Sequence, residues 1–395
     1  MSLLSRDAGL RHLLRLTLAL FLSYLAVAMP LSVMSLHVTR ELGLGNAAGG
    51  LAVGIAFLAT IVTRGHAGSL ADRLGGKACM TRGLLVYMAA GILCLASAAP
   101  GLTPAAAYAV LIAGRLLLGL GESLTLVGLL GWGIGLMGPS RSGRVMAFVG
   151  MGMYGAFAAG GPLGLALLRS LDFAALMAVC AGLPLVGLLL ARGIPAVAPH
   201  EGRRASFWRV LGLIWREGAV VGLQGVGFAA LGAFIPLYFL ANQWPHAGLG
   251  LTCFGAGFVA MRVLCGHLPD RIGGRPVAAW SLLVEAAGQY LLWLAPGPAW
   301  ALAGALLTGV GCSMVFPAMG AEAVRRVPAQ LRGTAVGGYA AFQDLAYGAT
   351  GPLTGLLADH HGYASVFLAG GACATLGLAM ARWGLRPSGR LADSR

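Results

Sequence analysis

Gly68-Ser69-Leu70-Ala71-Asp72-Arg73-Leu74-Gly75-Gly76-Lys77 is answered 198 positions later by Gly266-His267-Leu268-Pro269-Asp270-Arg271-Ile272-Gly273-Gly274-Arg275. Each stretch is a charged, glycine-rich break between two long apolar runs. Half of the chain repeats the other half, and the repeated unit is one that lives in a membrane. Such a duplication points to a carrier or pore rather than a soluble enzyme.

Composition agrees. Of 395 residues, 58% are hydrophobic and 10% are charged. Apolar runs of about 20 residues recur along the whole sequence, each able to cross roughly 30 Å of hydrocarbon as a helix. Twelve spans are predicted, near 12–37, 46–67, 78–98, 105–136, 144–168, 173–192, 208–240, 248–267, 276–296, 298–324, 333–357 and 363–384. The expected fold is an all-α membrane protein of two six-helix bundles, residues 1–192 and 208–395, joined by a linker over 193–207 that carries Pro195, Pro199, His200, Glu201, Arg203 and Arg204. The first apolar run is too long for the core of a cleaved signal and is read as a resident helix. The net charge of +14 suggests nucleic acid only until it is placed against the spans. Twenty-two of the 27 Lys and Arg fall on one side, Arg40 and Arg169 on the other, and Arg64, Arg115 and Arg262 in or near the bilayer. By the positive-inside rule both termini are cytoplasmic, and the basic balance has the membrane surface as its only partner. The seven cysteines have no metal-ligand spacing and read as packing residues, and no nucleotide-binding glycine loop is present. No cofactor or metal is expected.

The repeat reaches beyond the loops. Arg64 and Arg262 each precede the loop aspartate by eight positions, Pro30-Leu31 answers Pro236-Leu237, Gly119 and Gly121 answer Gly309 and Gly311, and Gly161-Pro162-Leu163 answers Gly351-Pro352-Leu353. The offset shifts only in connecting loops. Two such halves with a site between them form the recurring design for alternating access.

These motifs carry a resemblance. Both loops, together with Arg115-Leu116-Leu117-Leu118-Gly119-Leu120-Gly121, resemble the signatures of the major facilitator superfamily over essentially the full length. Gly155 through Gly160, Gly161, Pro162 and Gly164 resembles the fifth-helix signature of its antiporters. Ser23-Tyr24-Leu25, the run Thr63 to Gly68 and the run Phe342 to Leu353 resemble the bacterial YhhS/YfcJ group of inner-membrane exporters. The resemblance implies a monomeric carrier that exports a small organic molecule (drug-like, sugar or metabolite), with the first, fourth, seventh and tenth helices around a central cavity. It also implies proton exchange, although the acid that many proton-coupled relatives carry in the first helix is missing here.

Candidate residues follow. A charge near the bilayer centre costs roughly 3 kcal/mol or more, so buried acids need a partner, water or a proton. Glu122 and Arg115 share a helix face two turns apart, as a titrating site or as a static pair. Asp344, beside Gln343, lies about 16 Å deep in its helix, and Glu285 sits mid-span with an interhelical hydrogen bond as its plainer role. These three are the proton-coupling candidates. Arg115, Tyr24, Tyr154, Gln224, Phe228, Tyr238, Phe342 and Gln343 are the cavity candidates. Asp72 and Asp270 are read as latches between halves, with Arg73, Lys77 and Arg271 beside them and Gly68 and Gly75 permitting tight turns. Pro269 makes the second loop stiffer, so Asp72 takes the larger role. Arg64 and Arg262 either hold an anionic substrate, pair with an acid of the opposite half, or snorkel. The alternatives to export are proton-coupled uptake and, from another class, a polytopic membrane enzyme or sensor; no cluster of catalytic residues at one bilayer face supports the last.

Overall fold

The computed structural model describes residues 3–138, 141–198, 207–328 and 332–384, and among these it contains helices, turns and no strand. In chain order the helices are α1 (Leu3–Ala28), α2 (Pro30–Arg40), α3 (Asn46–Leu74), α4 (Gly76–Ala96), α5 (Pro104–Met137), α6 (Ser142–Ser170) and α7 (Phe173–Ala191). A second series follows: α8 (Phe207–Ala241), α9 (Leu249–Cys265), α10 (Leu268–Ile272), α11 (Gly274–Trp293), α12 (Pro298–Arg325), α13 (Arg332–His361) and α14 (Ala364–Ala379). Two crossings are broken. Proline has no N–H and its ring crowds the carbonyl one turn back, so Pro30 interrupts the first rod at Met29 and Pro269 helps separate α10 from α9. Counted as rods, the fourteen helices make twelve crossings, and their even number brings both described ends to one face, called here the terminal face.

Nine of these rods are long and apolar enough to cross a membrane unaided. α9 is short, and α11 and α13 are more polar because they carry Glu285 and Gln289, and Gln343 and Asp344. Starts are fixed locally: the Thr103 hydroxyl caps α5 ahead of Pro104, and the Asp172 carboxylate accepts from the Ala175 N–H at 2.7 Å to cap α7.

α1 to α7 pack as one bundle and α8 to α14 as the other, meeting along α3 against α13, α6 against α9 and α2 against α8. Within a bilayer there is little hydrophobic force between helices, so close approach of small residues supplies the attraction. Gly50 and Gly54 of α3 lie on Gly351 and Gly348 of α13 so closely that a Cβ on Gly50 would sit 2.0 Å from the Gly351 carbonyl oxygen. Farther toward the loop side, Asn46 Nδ2 donates to Asp359 at 2.7 Å and the Tyr363 hydroxyl to Asn46 at 2.9 Å. Toward the terminal face this close backbone contact is not continued. Gly68, one turn beyond Arg64, and Gly337, two turns before Asp344, have nothing within 4 Å of where a side chain would begin. The close glycine contact between the bundles lies on the distal side.

The glycines of α6 have a specific seat. Gly160 and Gly164 pack on the break between α1 and α2, where a Cβ would lie 2.4 Å from that of Ala28 and 2.1 Å from the Met29 carbonyl oxygen. Gly161 faces Leu251 of the other bundle, Gly155 faces Phe21, and Pro162 lies inside the helix.

The two repeated loops differ. Gly75 and Gly273 both turn the chain with φ of 85° and 90°, a region that side chains disfavour. α3 runs through Asp72 to Leu74, whereas the second loop is interrupted before Leu268. Asp72, Arg73 and Arg271 are exposed, and the side chain of Asp270 lies outside the described residues. Lys77 donates to the Ile194 carbonyl at 2.7 Å and lies over the Trp132 ring, whose Nε1 donates to the Pro195 carbonyl at 2.8 Å. Lys77 thereby holds the start of the linker on the first bundle. His200, Glu201, Arg203 and Arg204 lie outside the described residues.

Candidate functional site

Where the bundles meet at mid-depth, α1, α3, α5 and α13 bring five polar side chains together: Tyr24, Thr60, Arg64, Glu122 and Asp344. Glu122 of α5 is buried and held by two donors: the Tyr24 hydroxyl to Oε1 at 2.9 Å and the Thr60 hydroxyl to Oε2 at 3.4 Å. One turn along α3 from Thr60, Arg64 crosses to the other bundle, where its Nη2 donates to Asp344 Oδ2 and its Nη1 to the Gly337 carbonyl at 2.8 Å. Both partners of this ion pair are nearly buried, with side-chain exposures of 12% and 11%. The pair joins α3 to α13 on the terminal side of their glycine contact. Of the roles open to Arg64, pairing with an acid of the opposite half is the one it has here.

Beside this cluster lies an aromatic group. Tyr24 meets Phe157, Phe157 meets Phe228, and Phe228 meets Tyr347 at ring-centroid distances of 6.0, 5.5 and 4.9 Å. Tyr154 donates to Gln343 at 3.2 Å, and Gln343 in turn to Gln224 at 3.5 Å. Rings and amides from α6, α8, α9, α12 and α13 enclose about 10 Å³, room for at most one water molecule. The site is shut around itself.

Arg262 of α9 lies over the rings of Tyr154 and Phe258, 5.1 and 5.3 Å from their centroids, and donates through Nη2 to the Ser313 carbonyl. Glu285 of α11 is fully buried and turned toward α8: its Oε1 lies 2.6 Å from the Cβ position of Gly227, with Gln224 and Cys312 as polar neighbours.

Three cavity candidates lie elsewhere. Arg115 does not pair with Glu122; it donates to the carbonyls of Ala52 and Val53 at 2.9 and 3.0 Å. Seven residues are about 10 Å of helix rise, beyond the reach of a direct pair when the guanidinium turns the other way. Tyr238 packs on Trp244 and Phe367 and donates to the Leu292 carbonyl at 3.0 Å, outside the central group. Phe342 lies against Gly218 on the outer side of Gln343, because neighbouring residues of a helix point about 100° apart. Sequence reasoning also passed over two features. Thr60 was signalled by its place one turn before Arg64. Glu217 is buried in α8 and pairs with Arg326 after α12, a contact with no sequence signature.

Twelve crossings in two related bundles, with an ion pair and buried acids at their interface, define a polytopic membrane carrier. The sequence profile of the Major Facilitator Superfamily matches residues 16–245 and 218–394. A relative from Salmonella typhimurium, called an uncharacterized MFS-type transporter, is 46% identical over 374 residues, covering 95% of this chain and 96% of that one. Another with the same description, from Burkholderia mallei, is 40% identical over 95% of this chain and 92% of its own. The chain belongs to the Major Facilitator Superfamily. The fold is similar to the crystal structure of a D-xylose-proton symporter (TM-score 0.79, 16% identity, 97% and 98% of the two chains) and to that of the human organic anion transporter MFSD10 (TM-score 0.72, 16% identity, 94% and 99%). It is a multi-pass transporter of small molecules and not an enzyme.

Proposed function

We propose that this transporter exports a small organic molecule across a bacterial inner membrane in exchange for protons, acting as a monomer with cytoplasmic termini. The observation that carries the reading is the Arg64–Asp344 pair, which joins the bundles on the terminal side of the α3–α13 glycine contact. A carboxylate that is charged when strapped to Arg64 and neutral when released links proton binding to the rocking of residues 1–192 against 208–395 about the linker at 193–207. Glu122, held by Tyr24 and by Thr60, which lies one turn along α3 from Arg64, is the second proton carrier, and Glu285 the third candidate. Asp72, with Arg73 and Gly68, gates the terminal face, and Asp270 with Arg271 does the same less strongly in the second bundle. The predicted placement, from the sequence, of 22 of the 27 basic residues on the side of the termini supports its cytoplasmic assignment. The α6 glycines seated on the α1–α2 break support antiport over symport only through the resemblance of their motif.

The test uses everted membrane vesicles energised to an acid interior, with a fluorescent amine reporting the gradient. A panel of sugars, aromatic carboxylates and lipophilic cations is added to vesicles with and without the protein. Recovery of fluorescence by at least one class, only in protein-containing vesicles, is expected. A panel that leaves the gradient untouched contradicts proton antiport.

A further inference from the structure

The internal repeat makes Arg262 the counterpart of Arg64, 198 positions on, and Asp344 the counterpart of Tyr154, 190 positions on. Both counterpart pairs are in contact across the bundle interface. Arg64 of α3 meets Asp344 of α13, and Arg262 of α9 meets Tyr154 of α6. The molecule therefore has two pseudo-symmetric straps, and only one is compensated in charge. Where the first has a carboxylate, the second has a phenol ring.

Arginine remains cationic whatever its surroundings. Arg262 is half-buried, its Nη2 satisfied by one carbonyl, while its Nε is buried with no acceptor and no carboxylate lies within ion-pair distance among the described residues. The nearby acids are otherwise engaged: Asp344 by Arg64, Glu122 by Tyr24 and Thr60, and Glu285 turned toward Gly227. Ring faces offset only part of the loss of water around a guanidinium, and a planar anion matches its fork far better. The two rings under Arg262, Tyr154 and Phe258, also line the small enclosed space between the bundles, whose other walls include Phe157, Phe228, Phe254 and Phe316 and the amides of Gln224 and Gln343.

We infer that Arg262 is the receptor for the cargo's charged end, and that the cargo is a small organic anion, a carboxylate or similar group on an aromatic or flat apolar body. Its headgroup takes, in the second strap, the place that Asp344 holds in the first, and its body enters between the rings when the bundles part. This rests on the reading that the cargo site lies between the bundles, but not on proton coupling or on direction.

The experiment is binding to the purified full-length protein in detergent at pH 7, without any gradient, by calorimetry and by shift of the melting temperature. The probes are phenylacetate, 4-phenylbutyrate and indole-3-acetate, each against its neutral amide. At least one acid is expected to bind tenfold or more tightly than its amide. Arg262→Gln is expected to abolish that preference and Arg262→Lys to keep part of it. Equal binding of acid and amide, binding by none of the acids, or an unchanged preference in folded R262Q overturns the assignment. If R262Q fails to fold, the acid-to-amide ratio of the wild type and of R262K decides. Failure here leaves the vesicle experiment free to succeed with a sugar or a cation, and success here stands even if the gradient proves irrelevant.

Discussion

Replacing Gly50 by alanine should hold the two bundles apart on the distal side. The new Cβ would lie 2.0 Å from the Gly351 carbonyl oxygen and 2.2 Å from its carbon, atoms of backbone that cannot swing away. Reaching an ordinary contact near 3.4 Å requires α3 and α13 to separate by roughly 1.4 Å. Overpacking of this kind costs about 1–3 kcal/mol. Because the cost falls only on the arrangement closed at that side, it shifts the balance between arrangements by about 5- to 150-fold. The assay is labelling of Ala47→Cys, in a variant whose seven native cysteines are replaced, by a membrane-impermeant maleimide. Ala47 lies beside Gly355 in the closed contact, so labelling should be slow in the parent and at least fivefold faster with Gly50→Ala. Gly182→Ala in α7 is the control, since nothing lies within 4 Å of its Cβ position, and should leave the rate alone. Equal labelling of the Gly50→Ala protein and its parent, at normal yield, refutes the reasoning that this glycine crossing is the distal seal.

Two further outcomes follow from the site. Arg115→Ala removes two charge-assisted hydrogen bonds to the carbonyls of α3 and should cost about 3 kcal/mol of stability; its melting temperature in detergent should fall while the affinity of any cargo per folded molecule stays within twofold. Tyr24→Phe leaves Glu122 with the Thr60 hydroxyl alone, and a lost donor to a charged group is worth about 1.5 kcal/mol or more, so gradient-driven flux should drop about tenfold at unchanged expression. A wild-type rate in Y24F would remove Glu122 from the coupling path.

Much of the architecture was legible because the bilayer imposes it. Apolar length follows from the cost of polar groups in hydrocarbon, and the predicted spans match the observed rods closely. The breaks at Pro30 and Pro269 were visible as prolines but not as interruptions, since Pro162, Pro236, Pro317 and Pro352 sit within continuous helices. The site was legible in its members more than in its pairings. Helical spacing put Arg115 and Glu122 on one face, yet pairing depends on which neighbouring helix lies beside each, and α3 took Arg115 through carbonyls that no pattern announces. Arg64 and Arg262 look alike in sequence. What separates them is the residue opposite, Asp344 or Tyr154, which only the packing of α13 and α6 reveals.

Proton-coupled movement of cargo in proteoliposomes, compared between the wild type and Asp344→Asn, tests the central claim most directly. The cargo is whichever compound of the vesicle panel discharged the gradient. An imposed pH gradient should accelerate wild-type flux, while Asp344→Asn should exchange labelled for unlabelled cargo at equilibrium yet ignore the gradient, because an amide cannot take up the proton that releases Arg64. If Asp344→Asn responds to the gradient as the wild type does, the Arg64–Asp344 strap is not the coupling element and the account fails.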